Sequence, residues 1–153
     1  MPRVTIGVEV LEQVTDEAVE AFGQLIPQVS RSAKPLDAAS LARLVSSPAV
    51  TVLIARGNRR IIGSLTLAMF PTPTGLRAWI EDVIVDESAR GQGVGGLLTQ
   101  KALQLARDAG ARTVDLTTRP TRQAAGRLYE REGFQQRDTR VYRYVFDESD
   151  RLS

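Results

Sequence analysis

The residues whose spacing points most clearly to chemistry form a glycine-rich segment that follows an apolar run. The segment consists of Arg90, Gly91, Gln92, Gly93, Val94, Gly95 and Gly96. A loop of this kind at the start of a helix presents unpaired backbone N–H groups at the positive end of the helix dipole. Glycines lack the Cβ atoms that would keep a ligand at a distance, and Arg90 adds a permanent positive charge. The segment therefore predicts a binding site for a phosphate group.

Three other interpretations of these glycines must be weighed. Gly91, Gly93 and Gly96 fit G-x-G-x-x-G, the fingerprint of dinucleotide-binding oxidoreductases that use NAD(P)H. In that fold the strand runs almost directly into the first glycine, whereas Val85 stands five positions before Arg90 here. A nucleotide P-loop is excluded because no Gly-Lys-Ser/Thr follows. The purely structural alternative is that the glycines only let a helix and a strand pack closely.

The composition excludes several catalytic strategies. The chain of 153 residues contains neither cysteine nor histidine. Disulfides, thiol nucleophiles, imidazole bases and zinc sites built on these residues are therefore ruled out, and no metal site is predicted. A net charge of +2 and 5% aromatic residues, without a basic run, give no sign of a nucleic-acid partner. The sequence shows no apolar segment long enough for a membrane span and no signal peptide, so the default expectation is a cytoplasmic protein.

A second motif follows the glycine-rich segment. Residues 128–134 have the pattern Leu-Tyr-x-x-x-Gly-Phe, and Ala125 stands four positions before Tyr129. Together with Arg-x-x-Gly-x-Gly at residues 90–95 and Val85 five positions upstream, this sequence resembles the GNAT family of N-acetyltransferases. The two motifs occur in the family's order, and the resemblance extends over nearly the whole chain.

The resemblance implies acetyl-coenzyme A as the acyl donor. Backbone amides of the glycine-rich segment would hold its pyrophosphate beside Arg90, and the pantetheine arm would lie along Val83, Ile84 and Val85 like an added strand. Amides near Val83 would polarise the thioester carbonyl. The family usually has asparagine seven positions before the tyrosine, where this chain has Arg122. Arginine cannot accept a hydrogen bond but can contact a CoA phosphate instead.

Direct transfer of the acetyl group to a primary amine of a small molecule or peptide needs two proton transfers. By resemblance, Tyr129 is the general acid or a hydrogen-bond donor to the CoA sulfur; its alternative role is a core aromatic residue. Glu81 is the preferred base, with Asp82 or water as alternatives. An acidic residue in an apolar strand tends to have a raised pKa, which suits a base near neutral pH. The alternative, structural role of this carboxylate is a surface ion pair with an arginine such as Arg77.

Strand alternation gives an expectation for which acidic side chain enters a cleft. Glu81 would share a face with Trp79 and Val83, whereas Asp82 would share one with Ile80 and Ile84. Only one of the two would then face the cleft, unless a bulge intervenes.

The surrounding patterns predict a mixed α+β domain that spans residues 1–153. Alternating apolar residues predict strands near residues 4–10, 50–55, 60–70, 76–85 and 114–117, and a last strand through Val141, Tyr142, Tyr144 and Phe146. Four helices are predicted, with caps at Thr15, Asp37 and Thr121 for the first, second and fourth, and a third over residues 95–109. The predicted sheet is mostly antiparallel, with one parallel β-α-β unit. A homodimer is a further expectation from the family, and a CoA-binding regulatory or interaction module without efficient transfer is the alternative function.

Overall fold

The computed structural model describes residues 5–147. The elements, in chain order, are β1 (Ile6–Val10), α1 (Asp16–Leu25), α2 (Ala38–Ser46), β2 (Val50–Gly57), β3 (Arg60–Thr72), β4 (Gly75–Val85), α3 (Val94–Asp108), β5 (Thr113–Asp115) and α4 (Gln123–Arg131). Single 3₁₀ turns occupy Ile26–Gln28 and Glu87–Ala89.

The five strands form one sheet in the order β1-β2-β3-β4-β5. The first three neighbouring pairs are antiparallel, and only β4 and β5 are parallel, joined by α3. The mixed α+β architecture with four helices and one parallel unit is therefore confirmed.

Helices cover both faces of the sheet, so the core has two parts. On one face, α3 packs Leu98 and Ala102 against Leu65 and Leu67 of β3. On the other face, α1 and α2 pack against β2 through a cluster that contains Phe22, Leu41, Val52 and Ile54.

Local sequence signals explain the ends of the first two helices. The Thr15 hydroxyl accepts a hydrogen bond from Ala18 N at 3.1 Å, and an Asp37 carboxylate oxygen accepts one from Ser40 N at 2.8 Å. Both predicted caps are therefore confirmed. The predicted cap at Thr121 is wrong, because α4 begins one residue later and Arg122 stands at its N-cap without a side-chain hydrogen bond.

The predicted last strand is also wrong. Residues 135–147 form no helix or strand and are exposed throughout. The segment has strand-forming residues, but a strand also needs a paired neighbour, and among residues 5–147 the segment does not join the five-stranded sheet. Within residues 5–147, no helix has the length and apolar character needed to cross a membrane.

Candidate active site

The sheet opens between its two parallel strands. Residues Arg77, Ala78 and Trp79 of β4 pair with Thr113, Val114 and Asp115 of β5. Strand β4 continues to Val85, but β5 ends at Asp115 rather than at residue 117 as the sequence predicted. Within the described part of the chain, the β5 side of residues 80–85 therefore has no strand partner. We name this open side of β4, along residues 80–85, the β4–β5 cleft.

A β-bulge interrupts β4 beside this cleft. Ser64 and Thr66 of β3 pair with Ile84 and Glu81, so Asp82 and Val83 together lie opposite the single residue Leu65. Asp82 has a left-handed backbone with φ of 49°. Such a conformation is uncommon outside glycine, and the bulge inserts one extra residue into the strand.

The bulge overturns the predicted side-chain alternation. Ile80 and Val83 both pack toward the α3-side core, whereas Ile84 belongs to the core on the α1 and α2 side. Glu81 and Val83 therefore do not share a face, so this prediction is wrong. Asp82 cannot share one face with both Ile80 and Ile84, because these two residues lie on opposite faces. The extra residue reverses the facing of every position after Glu81.

Glu81 is held by a neighbouring indole. Trp79 Nε1 donates a hydrogen bond to Glu81 Oε1 at 2.7 Å, which confirms that these two side chains lie on one face. Glu81 is exposed, so the desolvation expected from an apolar strand is absent. The structural alternative of a pair with Arg77 is also wrong, because Arg77 instead bridges to Asp115 of β5 at 2.9 Å. Asp82 is exposed as well.

The glycine-rich loop leads from the end of β4 into α3. Gly91 and Gly93 have left-handed backbones, with φ of 78° and 81°, and open space lies where their Cβ atoms would be. Helix α3 begins at Val94, one residue before the predicted start, and its N-cap Gly93 provides no side-chain hydrogen bond. The amides of the first helical turn therefore keep the unpaired donors that the sequence predicted.

The other two glycines have a packing role. A Cβ atom at Gly95 would lie 3.1 Å from Leu128 Cδ2, and one at Gly96 would lie 3.5 Å from Leu128 Cδ1. The first distance is shorter than ordinary van der Waals contact and the second is not, so close packing of α3 against α4 explains glycine at position 95 but does not require it at position 96. Gly91 and Gly93 are explained by their left-handed backbones.

A cleft of about 430 Å³ lies between the glycine-rich loop and the start of α4. Its lining residues are Arg90, Thr121, Arg122, Gln123, Ala124 and Ala125. The fold thus brings together the two arginines that the sequence singled out. This arrangement suits an anionic ligand, because two guanidinium groups lie near the open end of a helix.

Tyr129 lies on α4, beside Leu128. Its ring meets Phe134 edge-on, with centroids 5.7 Å apart, so the two aromatic residues of the second motif pack together. Burial raises the pKa of Tyr129 above its ordinary value, and the positive charge of Arg122 partly opposes this. The phenol is therefore protonated at neutral pH and can donate a hydrogen bond.

Asp86 braces the 3₁₀ turn Glu87–Ala89, which leads into the glycine-rich loop, and the sequence analysis did not anticipate this role. Its carboxylate accepts hydrogen bonds from Gln28 Nε2 at 2.9 Å and from Ser88 N at 3.1 Å. It also accepts one from the Ser88 hydroxyl, and Arg60 lies 3.8 Å away. The hydrogen bonds from Ser88 and Gln28 lower the pKa of Asp86. The Asp-x-Ser pattern is a common turn signal and could have identified this brace.

Comparison with known proteins settles the family. The sequence profile described as the Acetyltransferase (GNAT) family matches residues 7–134. The chain belongs to the GNAT family of acetyltransferases. It is also similar to the N-alpha-acetyltransferase 30 of Schizosaccharomyces pombe, with 35% identity over 98 residues. That match covers 63% of this chain and 65% of the yeast protein, so it spans less than two thirds of the relative.

Solved structures share this GNAT fold. A putative acetyltransferase from Agrobacterium tumefaciens has a TM-score of 0.80 and 24% identity, over 91% of this chain and 99% of that one. An aminoglycoside acetyltransferase from an uncultured soil metagenomic sample has a TM-score of 0.81 and 20% identity, over 94% and 97%. A ribosomal-protein-alanine N-acetyltransferase from Brucella melitensis has a TM-score of 0.75 and 19% identity, over 94% and 100%. These similarities establish the fold and leave the acceptor open.

Proposed function

We propose that this GNAT protein transfers an acetyl group from acetyl-CoA to a primary amine in the cleft between β4 and β5. One observation carries the proposal. The unpaired edge of β4 at residues 80–85 runs directly into a loop whose helix-start amides have no side-chain cap. An extended chain that ends in a diphosphate would find main-chain partners along the strand and anion-binding amides at its end.

The residues present fit acetyl-CoA chemically. The first-turn amides of α3 and the side chains of Arg90 and Arg122 offer positive charge and hydrogen-bond donors to the diphosphate. Residues Val83, Ile84 and Val85 offer an unpaired strand edge to the amide groups of the pantetheine arm. The bulge at Asp82 and Val83 changes the direction of the main chain where the thioester would lie. A main-chain N–H at this bulge would stabilise negative charge that develops on the carbonyl oxygen.

The proton transfers are assigned to Glu81 and Tyr129. The amine nitrogen forms a bond to the acetyl carbon, its proton passes to Glu81 or to water, and the carbon–sulfur bond breaks. Tyr129 donates a hydrogen bond to the departing sulfur. Burial raises the pKa of Tyr129, whereas a simple thiol has a pKa of about 8.5, so hydrogen-bond donation is favoured over complete proton transfer.

The acceptor class to test first is the α-amine of a peptide or protein N-terminus. Support comes from the name of the yeast relative, N-alpha-acetyltransferase 30, which is 35% identical to this chain over 98 residues. The end of the cleft near Glu81 is exposed and would admit an extended chain. Aminoglycosides and polyamines are the comparison acceptors, since one structural neighbour is an aminoglycoside acetyltransferase.

Release of the CoA thiol provides a direct assay. Because the chain has no cysteine, a thiol-reactive dye reports only free CoA. We expect thiol release that depends on a peptide with a free N-terminus and stops when that amine is acetylated. Mass spectrometry should show one added acetyl group on the peptide. Binding of CoA without turnover on peptides, polyamines, aminoglycosides or amino acids would instead support the regulatory-module alternative. Thermal stabilisation by NAD(P)H but not by acetyl-CoA would contradict the site assignment.

Two variants separate the proposed proton transfers. Glu81→Gln should lower kcat about 100-fold at neutral pH with little change in acetyl-CoA affinity, and Glu12→Gln, which alters an exposed carboxylate, is its matched control. Tyr129→Phe should lower kcat about tenfold, since it removes one hydrogen bond to a charged group. Full turnover in Glu81→Gln would assign the amine's proton to water or Asp82.

A further inference from the structure

Trp79 stands where the doubly paired part of β4 ends. Its main chain pairs with Ala68 of β3 on one side and with Asp115 of β5 on the other, and Asp115 is the last residue of β5. Glu81 lies two positions further along β4 and, within the described part of the chain, pairs only with Thr66 of β3. Trp79 therefore belongs to the part of the strand that is held on both sides, whereas Glu81 lies beyond the opening of the β4–β5 cleft.

The indole of Trp79 connects these two parts of the strand. Its Nε1 donates to Glu81 Oε1 at 2.7 Å, across two positions that share one face. The next residue, Asp82, has the left-handed backbone of the bulge, so the strand changes direction directly after Glu81. Without a partner, an exposed glutamate at such a point would move among its rotamers. The hydrogen bond therefore fixes the carboxylate against the part of the sheet that is paired on both sides.

The hydrogen bond leaves one oxygen of the Glu81 carboxylate available. Within residues 5–147, Glu81 forms no ion pair and its side chain accepts a hydrogen bond from Trp79 alone. Arg77, two positions before Trp79, is engaged elsewhere, because its Nη2 lies 2.9 Å from Asp115 Oδ2. An ionised carboxylate can accept hydrogen bonds through both oxygens. Oε2 can therefore accept a hydrogen bond from an amine while Oε1 stays bound to the indole.

A neutral donor suits a base better than a cation does. A guanidinium or ammonium group beside Glu81 would favour the charged carboxylate and would repel a protonated acceptor amine. The indole N–H is a donor only and has no formal charge, so it orients the carboxylate without neutralising it. Tryptophan also has only two side-chain torsions, which makes the partly buried ring of Trp79 a stiff support.

We propose that Trp79 is a positioning residue, which holds the Glu81 carboxylate through Oε1 and leaves Oε2 to the acceptor amine in the β4–β5 cleft. This role rests on the proposed function, in which Glu81 accepts the proton of the amine. Trp79 acts through Glu81 and takes no proton itself. A misplacement of the base by about 1 Å can lower the rate about 100-fold, so a fixed carboxylate matters for turnover.

The contact can be tested without any turnover. Trp79 is the single tryptophan of the chain, so a nitrogen–proton correlation NMR spectrum should show one indole N–H signal. Glu81→Ala should move that signal upfield in the proton dimension, because the donor loses a charged acceptor. Glu12→Ala, which removes another exposed carboxylate, is the matched control and should leave the signal in place. An indole signal that does not respond to Glu81→Ala would overturn the proposal.

An isosteric replacement of the indole isolates the N–H group. Benzothienylalanine, introduced at position 79 by nonsense suppression, has sulfur in place of the N–H and keeps the fused ring. In the thiol-release assay with a peptide acceptor, kcat should fall about tenfold and KM for acetyl-CoA should change less than about twofold, because only the base loses a hydrogen bond. Fluorotryptophan at the same position restores the N–H and should restore turnover. If the benzothienyl protein does not fold, as judged by circular dichroism, Trp79→Phe provides the same comparison.

A double variant separates the positioning role from the proposed function. In a Glu81→Gln background, loss of the indole N–H should not lower kcat further, because the base that it positions is already gone. An equal tenfold loss in both backgrounds, or an unchanged kcat on loss of the N–H, would overturn only the positioning role. Full turnover in Glu81→Gln, or no turnover of any acceptor, would refute the proposed function and the positioning role together.

Discussion

Replacement of Gly95 by alanine tests how the glycines divide their tasks. A Cβ atom there would lie 3.1 Å from Leu128 Cδ2 and 3.8 Å from Val85 Cγ2. The first distance is shorter than ordinary van der Waals contact, so the Leu128 side chain, or α4 with it, must shift by a few tenths of an ångström. Overpacking of this kind costs about 1–3 kcal/mol, and alanine recovers up to about 1 kcal/mol through its better helix propensity. We expect a net loss of about 1–2 kcal/mol, or roughly 2–8 °C in Tm.

A double-mutant cycle assigns that loss to Leu128. In a Leu128→Ala background the two Cδ atoms are absent, so Gly95→Ala should become neutral or slightly stabilising. Gly126→Ala is the matched control, because this α4 glycine has no atom within 4 Å of its Cβ position and should gain about 0.5–1 kcal/mol. Urea unfolding of the unaltered chain, the two single variants and the double variant gives the free energy of unfolding of each. An equal loss with and without the Leu128 side chain would refute the packing role of Gly95.

Three further predictions concern the loop and the cleft. Gly93→Ala should lower the free energy of unfolding by about 1–2 kcal/mol, because alanine is strained in the left-handed backbone of this position. The loss should be the same in a Leu128→Ala background, measured by the same unfolding assay. Because its hydrogen bonds lower the pKa of Asp86, this carboxylate stabilises the fold above its ordinary pKa and loses that effect as the pH falls through the lowered value. Asp86→Asn should therefore flatten the stability profile below about pH 4, measured by unfolding at each pH; an unchanged slope would contradict the brace. Arg122→Gln should weaken acetyl-CoA binding about tenfold, measured by calorimetry. It should also raise the pKa of Tyr129, so that tyrosinate absorbance appears at a higher pH. An unchanged affinity together with an unchanged pKa would place Arg122 outside the cleft.

Much of the fold could be predicted because its signals are local. The caps at Thr15 and Asp37 depend on residues three positions apart, and the start of α3 directly follows the glycine-rich segment. The approach of the two arginines across the cleft depends on the order of the motifs, which the family resemblance supplied.

The errors arise where distant pairing decides the outcome. The bulge at Asp82 is set by the register against β3, so alternation along β4 alone placed Glu81 and Val83 on one face. The predicted last strand has the right residue types but, within residues 5–147, it joins none of the five strands of the sheet. The end of β5 at Asp115 likewise follows from the divergence of two strands, which no local pattern indicates.

The short length of β5 divides the amide protons of β4 into two populations. N–H groups that point to β3 lie inside the antiparallel ladder, which the bulge at Asp82 interrupts once, whereas those of residues 80–85 that point the other way meet the cleft. Along one strand, fast and slow hydrogen exchange should therefore alternate, and the bulge at Asp82 should shift the phase of that alternation by one residue. A molecule that fills the cleft would slow only the exposed set, so the strand itself can serve as a residue-by-residue sensor of occupancy.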